Sequence, residues 1–217
     1  LSYISINNLS FCIEDKNILN NINIDIKKDE FVSIAGKNGS GKTTLAKIMT
    51  GILKPTMGIV TLDGIDVSSM PLFEVGRKVG YLFQNPERQI FATTVFEELC
   101  FAMKFKHVPN EIIDEKVEEI IHRFDLEDIR DSNTFLLSYG EKQRLAIAAI
   151  VLNNAEYLIL DEPSTGLDSI RKSELSKMFF EIRNKGTGIL MISHDDELVR
   201  LHSDRIIRME NGCAEYE

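Results

Sequence analysis

The run Gly36-Lys37-Asn38-Gly39-Ser40-Gly41-Lys42-Thr43 has the residue types to hold a polyphosphate. It matches the phosphate-loop pattern G-x-x-x-x-G-K-[ST]. Glycines let a backbone curl until several N–H groups point at one anion. A helix that begins there adds the positive end of its dipole. In such a loop Lys42 reaches the β and γ phosphates, the Thr43 hydroxyl binds Mg2+, and Thr44 follows in the same turn. Far downstream, Leu158-Ile159-Leu160-Asp161-Glu162 is an apolar run that ends in two acids. Asp161 can hold Mg2+, directly or through its water shell. Glu162 can polarise an attacking water as general base, an effect typically worth about 10²–10⁴ in rate. The two stretches together predict a nucleoside triphosphatase.

These residues need strands and helices to aim them. Phe31-Val32-Ser33-Ile34-Ala35 reads as a buried strand running straight into the glycine loop. A helix is expected from Lys42 to a stop near Gly51. Tyr3 to Ile6 and Ile22 to Ile26 alternate like half-buried strands, and Val79 to Phe83 is a further short strand. Tyr157 to Leu160 and Gly188 to Ile192 are continuous apolar runs, as a sheet covered on both faces requires. A helical pattern from Ile170 to Asn184 separates them. Alternating strands and helices predict an α/β domain with a largely parallel sheet. Residues 96–136 change character: Ile113, Val117, Ile120 and Phe124 recur at helical spacing after Pro109-Asn110.

Composition excludes several classes. With 217 residues and 43% in the apolar class, the chain can bury a sizeable core and is not disordered. The formal charge of −9, with no basic run longer than Lys27-Lys28, argues against a nucleic-acid partner. Nine acids against three bases between Glu111 and Asp131 read as a solvated helix face. Cys12, Cys100 and Cys213 are odd in number and widely spaced, which fits a reducing cytosol rather than a disulfide framework or zinc site. The longest apolar run, Leu145 to Leu152, is far short of the roughly twenty residues of a membrane span. Any membrane would be reached through a partner.

Leu137-Ser138-Tyr139-Gly140-Glu141-Lys142-Gln143-Arg144 precedes Asp161, and here the sequence resembles the ATP-binding-cassette (ABC) ATPases, whose signature reads L-S-G-G-Q. Gln84, after the strand Val79 to Phe83, resembles the family's Q-loop glutamine. Ser164-Thr165-Gly166-Leu167-Asp168 looks like the D-loop, and His194 like the switch histidine. The run Phe83-Gln84-Asn85-Pro86-Glu87-Arg88-Gln89-Ile90-Phe91-Ala92-Thr93-Thr94-Val95, with Glu97 and Phe101, is similar to the ATPases of energy-coupling-factor (ECF) transporters. The resemblance implies a P-loop ABC-ATPase fold with a parallel core, an N-terminal antiparallel β region and a helical subdomain. The corresponding limits are about 1–95 and 145–217 for the nucleotide-binding core and about 96–144 for the subdomain.

The resemblance also implies a function: a peripheral motor at the cytoplasmic face of a membrane, driving import of a vitamin or transition-metal ion. Its partners would be a second ATPase subunit, alike or different, a membrane coupling protein and a substrate-binding membrane protein. ATP would lie between two subunits. Gln84 would contact Mg2+ and the attacking water, and His194 the γ-phosphate. Ser138 and the Gly140 N–H would bind the partner's ATP, and Asp168 would cross the interface. From the residues themselves, Ser138 and Glu141 are spaced as a capping box that starts a helix.

Four features depart from the family pattern. Tyr139 replaces a glycine, and Glu141 replaces a glutamine and sets a negative charge near a polyanion. These changes are either tolerated or mark a degenerate site of an asymmetric heterodimer. Ile13 stands where an aromatic usually stacks on adenine, with Phe11 as a substitute or a core residue. The sequence stops at Glu217, where ECF ATPases usually carry a C-terminal dimerisation extension, so it reads as either a short variant or a trimmed fragment. Phe91 and Phe101 face either a membrane partner or the core, while His107, His122 and His202 read as surface or packing residues. The competing function is an ABC ATPase with no membrane partner.

Overall fold

Alternating burial shapes the N-terminal hairpin. The strands β1 (Ile4–Ile13) and β2 (Lys16–Ile26) pair antiparallel and turn Ile4, Ile6, Leu9, Leu19, Ile22, Ile24 and Ile26 inward. The computed structural model that shows this describes residues 2–105 and 107–216, apart from the side chain of Phe105. The strand β3 (Phe31–Ala35) enters the helix α1 (Lys42–Met49) through the glycine loop. Next come β4 (Met57–Leu62), β5 (Ile65–Asp66), the helix α2 (Leu72–Lys78) and β6 (Val79–Leu82). The helices α3 (Val95–Phe105), α4 (Asn110–Arg123) and α5 (Tyr139–Leu152) follow. The strand β7 (Tyr157–Asp161), helix α6 (Ser169–Asn184), strand β8 (Gly188–Ile192) and helix α7 (Asp196–His202) lead to β9 (Arg205–Glu210) and β10 (Cys213–Tyr216).

Two sheets result among the described residues. One has the order β2-β1-β4-β5 and is antiparallel; the other has the order β10-β9-β3-β8-β7-β6. In the second sheet every pair is parallel except β9 with β10. The α/β core and the antiparallel N-terminal region are therefore as expected. Successive residues of β7 serve opposite faces. Tyr157 and Ile159 join a core with α1 and the N-terminal sheet, while Leu158 and Leu160 join a core with α3, α4, α5 and α6. A strand covered on both faces must be apolar throughout, which explains its unbroken run.

Helical spacing in α4 puts Ile113, Val117 and Ile120 in the core, and Phe124, just past its end, is buried as well. Phe91 and Phe101 are 67% and 55% exposed, with ring centroids 6.3 Å apart, so they are a surface pair and not core packing. His202 is a packing residue: it is buried, bonded to Ser176 Oγ at 2.7 Å and stacked on Phe31. Its pKa is lowered by burial and then by Arg183. His122 and His107 are exposed.

The closeness of β8 to its neighbours is testable at Gly188. A Cβ there would stand 2.3 Å from the Lys28 carbonyl oxygen and 2.4 Å from Tyr157 Cε2. Neither backbone nor a fully buried ring can yield cheaply. Gly188→Ala should lower unfolding free energy by about 1–3 kcal/mol, read as a reduced urea midpoint at unchanged slope.

Candidate nucleotide site and signature face

Parallel order brings distant loops together. The glycine loop follows β3, Ser193 and His194 follow β8, Asp161 and Glu162 end β7, and Gln84 lies just past β6. Ligands of open parallel sheets bind at this carboxyl edge. Backbone bonds align the ends: Glu162 N–H donates to Ile192 O at 2.8 Å and Ser193 N–H to Ile34 O at 3.4 Å.

The glycine loop is built to approach an anion. Gly36 has φ 148°, and a Cβ there would lie 2.1 Å from the Met209 carbonyl oxygen. Gly41 caps α1 with φ 103° and makes no side-chain cap bond to the first N–H groups of the helix. Ser40 Oγ is buried with no hydrogen-bond partner. Lys42 is buried, and its Nζ donates to Gly36 O at 2.6 Å and Lys37 O at 3.0 Å. An ammonium has three donors, so one remains for an anion. Burial lowers the Lys42 pKa, and the charges of Glu162 and Asp161 oppose that shift. Unclaimed donors around a short glycine path fit a nucleotide polyphosphate.

Asp161 is 1% exposed. Its Oδ2 accepts from Tyr81 Oη at 3.2 Å, while Oδ1 has no hydrogen-bond partner. Burial raises its pKa; Thr43, Tyr81, Lys47 and Lys42 act against that rise. A buried carboxylate oxygen without a donor, beside the Thr43 hydroxyl, suits a hard cation. Among the described residues no cluster of three acidic, histidine or cysteine side chains could cage a metal. Mg2+ characteristically needs only one or two protein oxygens when phosphates supply others, so the residues present fit Mg2+.

Glu162 sits at φ 55°, in the left-handed region that costs a non-glycine residue roughly 1 kcal/mol or more. Such strain turns its side chain inward, where Oε1 lies 3.1 Å from His194 Nε2. The same Nε2 lies 2.9 Å from Asn38 Oδ1. Both neighbours are acceptors, so this nitrogen carries hydrogen. His194 thus bridges the glycine loop and the end of β7. Burial raises the Glu162 pKa; His194 and Lys42 act against that rise. Thr43, Lys47, Gln84, Arg88, Tyr139 and Asp161 line an open cleft of about 530 Å3 beside this cluster.

Ser138 and Gly140 lie at the start of α5 and Asp168 at the start of α6, while Tyr139 and Gly166 beside them line the same cleft as Thr43 and Asp161. Ser138 caps α5 in a capping box, as its spacing predicts. Ser138 N–H and Oγ–H both lie 2.7 Å from Glu141 Oε2. The Glu141 charge is therefore turned back on its own helix start, and its pKa is lowered first by the Ser138 bond. Asp168 caps α6, accepting from Arg171 N–H at 2.9 Å. Arg171 covers Gly140: a Cβ on that glycine would lie 2.7 Å from Arg171 Nη1. Ile13 is exposed at the tip of the β1–β2 hairpin, paired with Lys16. Tyr81, Lys47 and Arg171 were not legible as site residues. Their only signal is charge or a hydroxyl, and their roles depend on neighbours distant in sequence.

A phosphate loop, a buried strand-end acid pair and a bridging histidine at the carboxyl edge of a parallel sheet define a P-loop nucleoside triphosphatase. The family model described as ABC transporter matches residues 19–165. The chain belongs to the ABC transporter ATP-binding family and is an ATPase of that family. It is 38% identical over 215 residues to the energy-coupling factor transporter ATP-binding protein EcfA1 of Fusobacterium nucleatum, covering 99% of this chain and 81% of that one. A relative from Caldanaerobacter subterraneus is 39% identical over 197 residues, but the chain spans only 35% of its length. The structure of cbiO1 from Clostridium perfringens, part of the ABC transporter complex cbiONQ, superposes with TM-score 0.89 at 31% identity, covering 99% of this chain and 87% of that one. The ATP-binding cassette MJ0796, a dimer in a post-hydrolysis state bound to ADP and Pi, gives TM-score 0.89 at 28% identity, covering 99% and 97%.

The capping box predicts a pH signature. Glu141 has a folded pKa below its ordinary value, so its stabilisation is present above about pH 4.5 and fades as pH falls through the lowered value. Glu141→Gln should cost up to about 1 kcal/mol at pH 7. The gap from wild type should narrow in urea melts as pH falls below that range.

Proposed function

We propose that this chain is the ATP-hydrolysing motor subunit of an ECF-type importer for a vitamin or transition-metal ion. The observation that carries it is the pairing of a complete hydrolytic cluster with an exposed aromatic pair beside the Gln84 loop. Lys42, Asp161, Glu162 and His194 converge on one edge, while Phe91 and Phe101 stand on the surface. A membrane subunit docked beside that loop would cover the pair. The likeness to EcfA1 and to cbiO1, part of a transporter complex, supports the same reading. Among the described residues no helix is long and apolar enough to cross a membrane, so such a motor would dock on membrane subunits.

In this reading the substrate is ATP. The backbone N–H groups and side chains from Gly36 through Thr44, with Lys42 at their centre, bind its phosphates. Ile13 gives apolar contact to the base. Thr43, Asp161 and Gln84 would hold Mg2+, which supplies charge neutralisation to the phosphates when bound. Glu162 accepts a proton from the attacking water, which Gln84 orients, and His194 steadies Glu162 while reaching the γ-phosphate. Ser138 and the Gly140 N–H of a second subunit close the site from the other side, with Asp168 at the interface. Arg171 and the back-turned Glu141 make the altered signature compatible with a polyanion.

Glu162→Gln tests this directly. Hydrolysis should fall by about 10² or more while ATP binding persists. The variant should run as a dimer on a sizing column with ATP and as a monomer without it. A monomer under both conditions, with ATP bound, would assign the second subunit to a different chain. Failure of the wild type to co-purify with any membrane coupling protein would favour the motor without a membrane partner.

A further inference from the structure

Tyr139 occupies the position where the signature pattern has glycine, and it makes contacts that no glycine could make. Its hydroxyl donates to the Gln84 carbonyl oxygen at 2.9 Å. Its ring lies over Gly166: a Cβ there would stand 3.7 Å from Tyr139 Cδ1 and Cε1. One turn further along α5, Lys142 Nζ lies 2.9 Å from Glu87 Oε1. Gln143 Nε2 donates to the Pro163 carbonyl oxygen. The N-terminal end of α5 is thus tied to the Gln84 loop at two points and to the segment after Glu162 at two more.

The loop is braced on its other side as well. Phe83 N–H donates to Gln89 Oε1 at 2.9 Å, and Asn85 Oδ1 accepts from Glu87 N–H at 3.2 Å. Residues on either side of Gln84 are therefore held within the loop itself, whereas the Gln84 carbonyl is held from the signature helix. Burial of the half-buried Tyr139 ring raises the hydroxyl pKa, and the nearby Glu162 and Glu87 charges act in the same direction, so it remains a donor at neutral pH.

We propose that Tyr139 is a positioning residue that latches the signature helix to the Gln84 loop of the same chain, so that Gln84 and the Ser138–Gly140 face move as one unit. The proposal rests on the reading that Gln84 orients the attacking water. In a chain with glycine at this place the hydroxyl bond and the ring contact would both be lost, while the Lys142–Glu87 ion pair would remain. Here a shift of the Gln84 loop would be carried directly to the face presented to a second subunit, and closure on that face would set Gln84.

The test is Tyr139→Phe, which keeps the ring over Gly166 and removes only the hydroxyl, with Tyr139→Gly removing both. Hydrogen exchange of the nucleotide-free chain is measured over 84–88 and 139–143, together with the melting temperature and steady-state ATP hydrolysis. In Tyr139→Phe the expected result is about five-fold faster exchange over 84–88, matching a hydrogen bond of ordinary net worth, at a melting temperature close to wild type. The kcat should fall by a similar factor with KM for ATP unchanged, because the phosphate-binding residues are untouched. Tyr139→Gly should exchange faster still. Unchanged exchange over 84–88 in both variants overturns the latch, as does a change confined to KM. If the wild type itself fails to hydrolyse ATP, the motor reading falls, while faster exchange in the variants still upholds the latch.

Discussion

The common level at which β3, β8, β7 and β6 end is the constraint on which the site depends. Parallel pairing sets Ile34 against Ile192, Ile192 against Asp161, and Leu160 against Leu82. Because of that register the glycine loop, His194, the acid pair and Gln84 emerge side by side. A shift of one residue in any strand would turn its side chains to the opposite face. The burial of these strands on both faces makes such slips costly. The stability of the core and the precision of the site are thus the same property of the sheet.

Charge burial is managed within that frame. Asp161 is nearly inaccessible and has one oxygen without a donor, and Lys42 is buried against two carbonyls. Each would be costly alone. Together with Glu162 and His194 they form a set whose charges suit a polyanion and a hard cation. Glu162 adds backbone strain to this arrangement, since its left-handed φ aims the carboxylate at His194. Strain at this point is held by the Glu162 N–H bond to Ile192 and by the buried strand before it.

The signature face shows a different economy. Glu141 looks in the sequence like a charge opposed to phosphate, yet in the fold it completes a helix cap. Tyr139 looks like a bulky intrusion, yet its hydroxyl and ring are spent on the Gln84 loop and Gly166 of the same chain. Arg171, three residues past the Asp168 cap, brings a cation over Gly140. Each residue that departs from the signature pattern finds a partner in its own helix start or in a neighbouring element.

Local pattern alone determined much of this protein. The glycine loop, the apolar strand with its two acids, the alternating hairpin and the periodic α4 are written in consecutive residues, because backbone curl, strand burial and helix faces are short-range properties. The capping box of Ser138 and Glu141 was legible for the same reason. The strands β4, β5, β9 and β10 and the helices α2 and α7 were not read, being short or mixed in polarity and stabilised by the sheets they join. Only the tertiary structure decided that Tyr81 bonds Asp161, that Phe91 and Phe101 are exposed, and that Tyr139 reaches Gln84. Those contacts join residues whose nearness comes from strand order and helix packing, and no spacing along one chain encodes a distance across two elements.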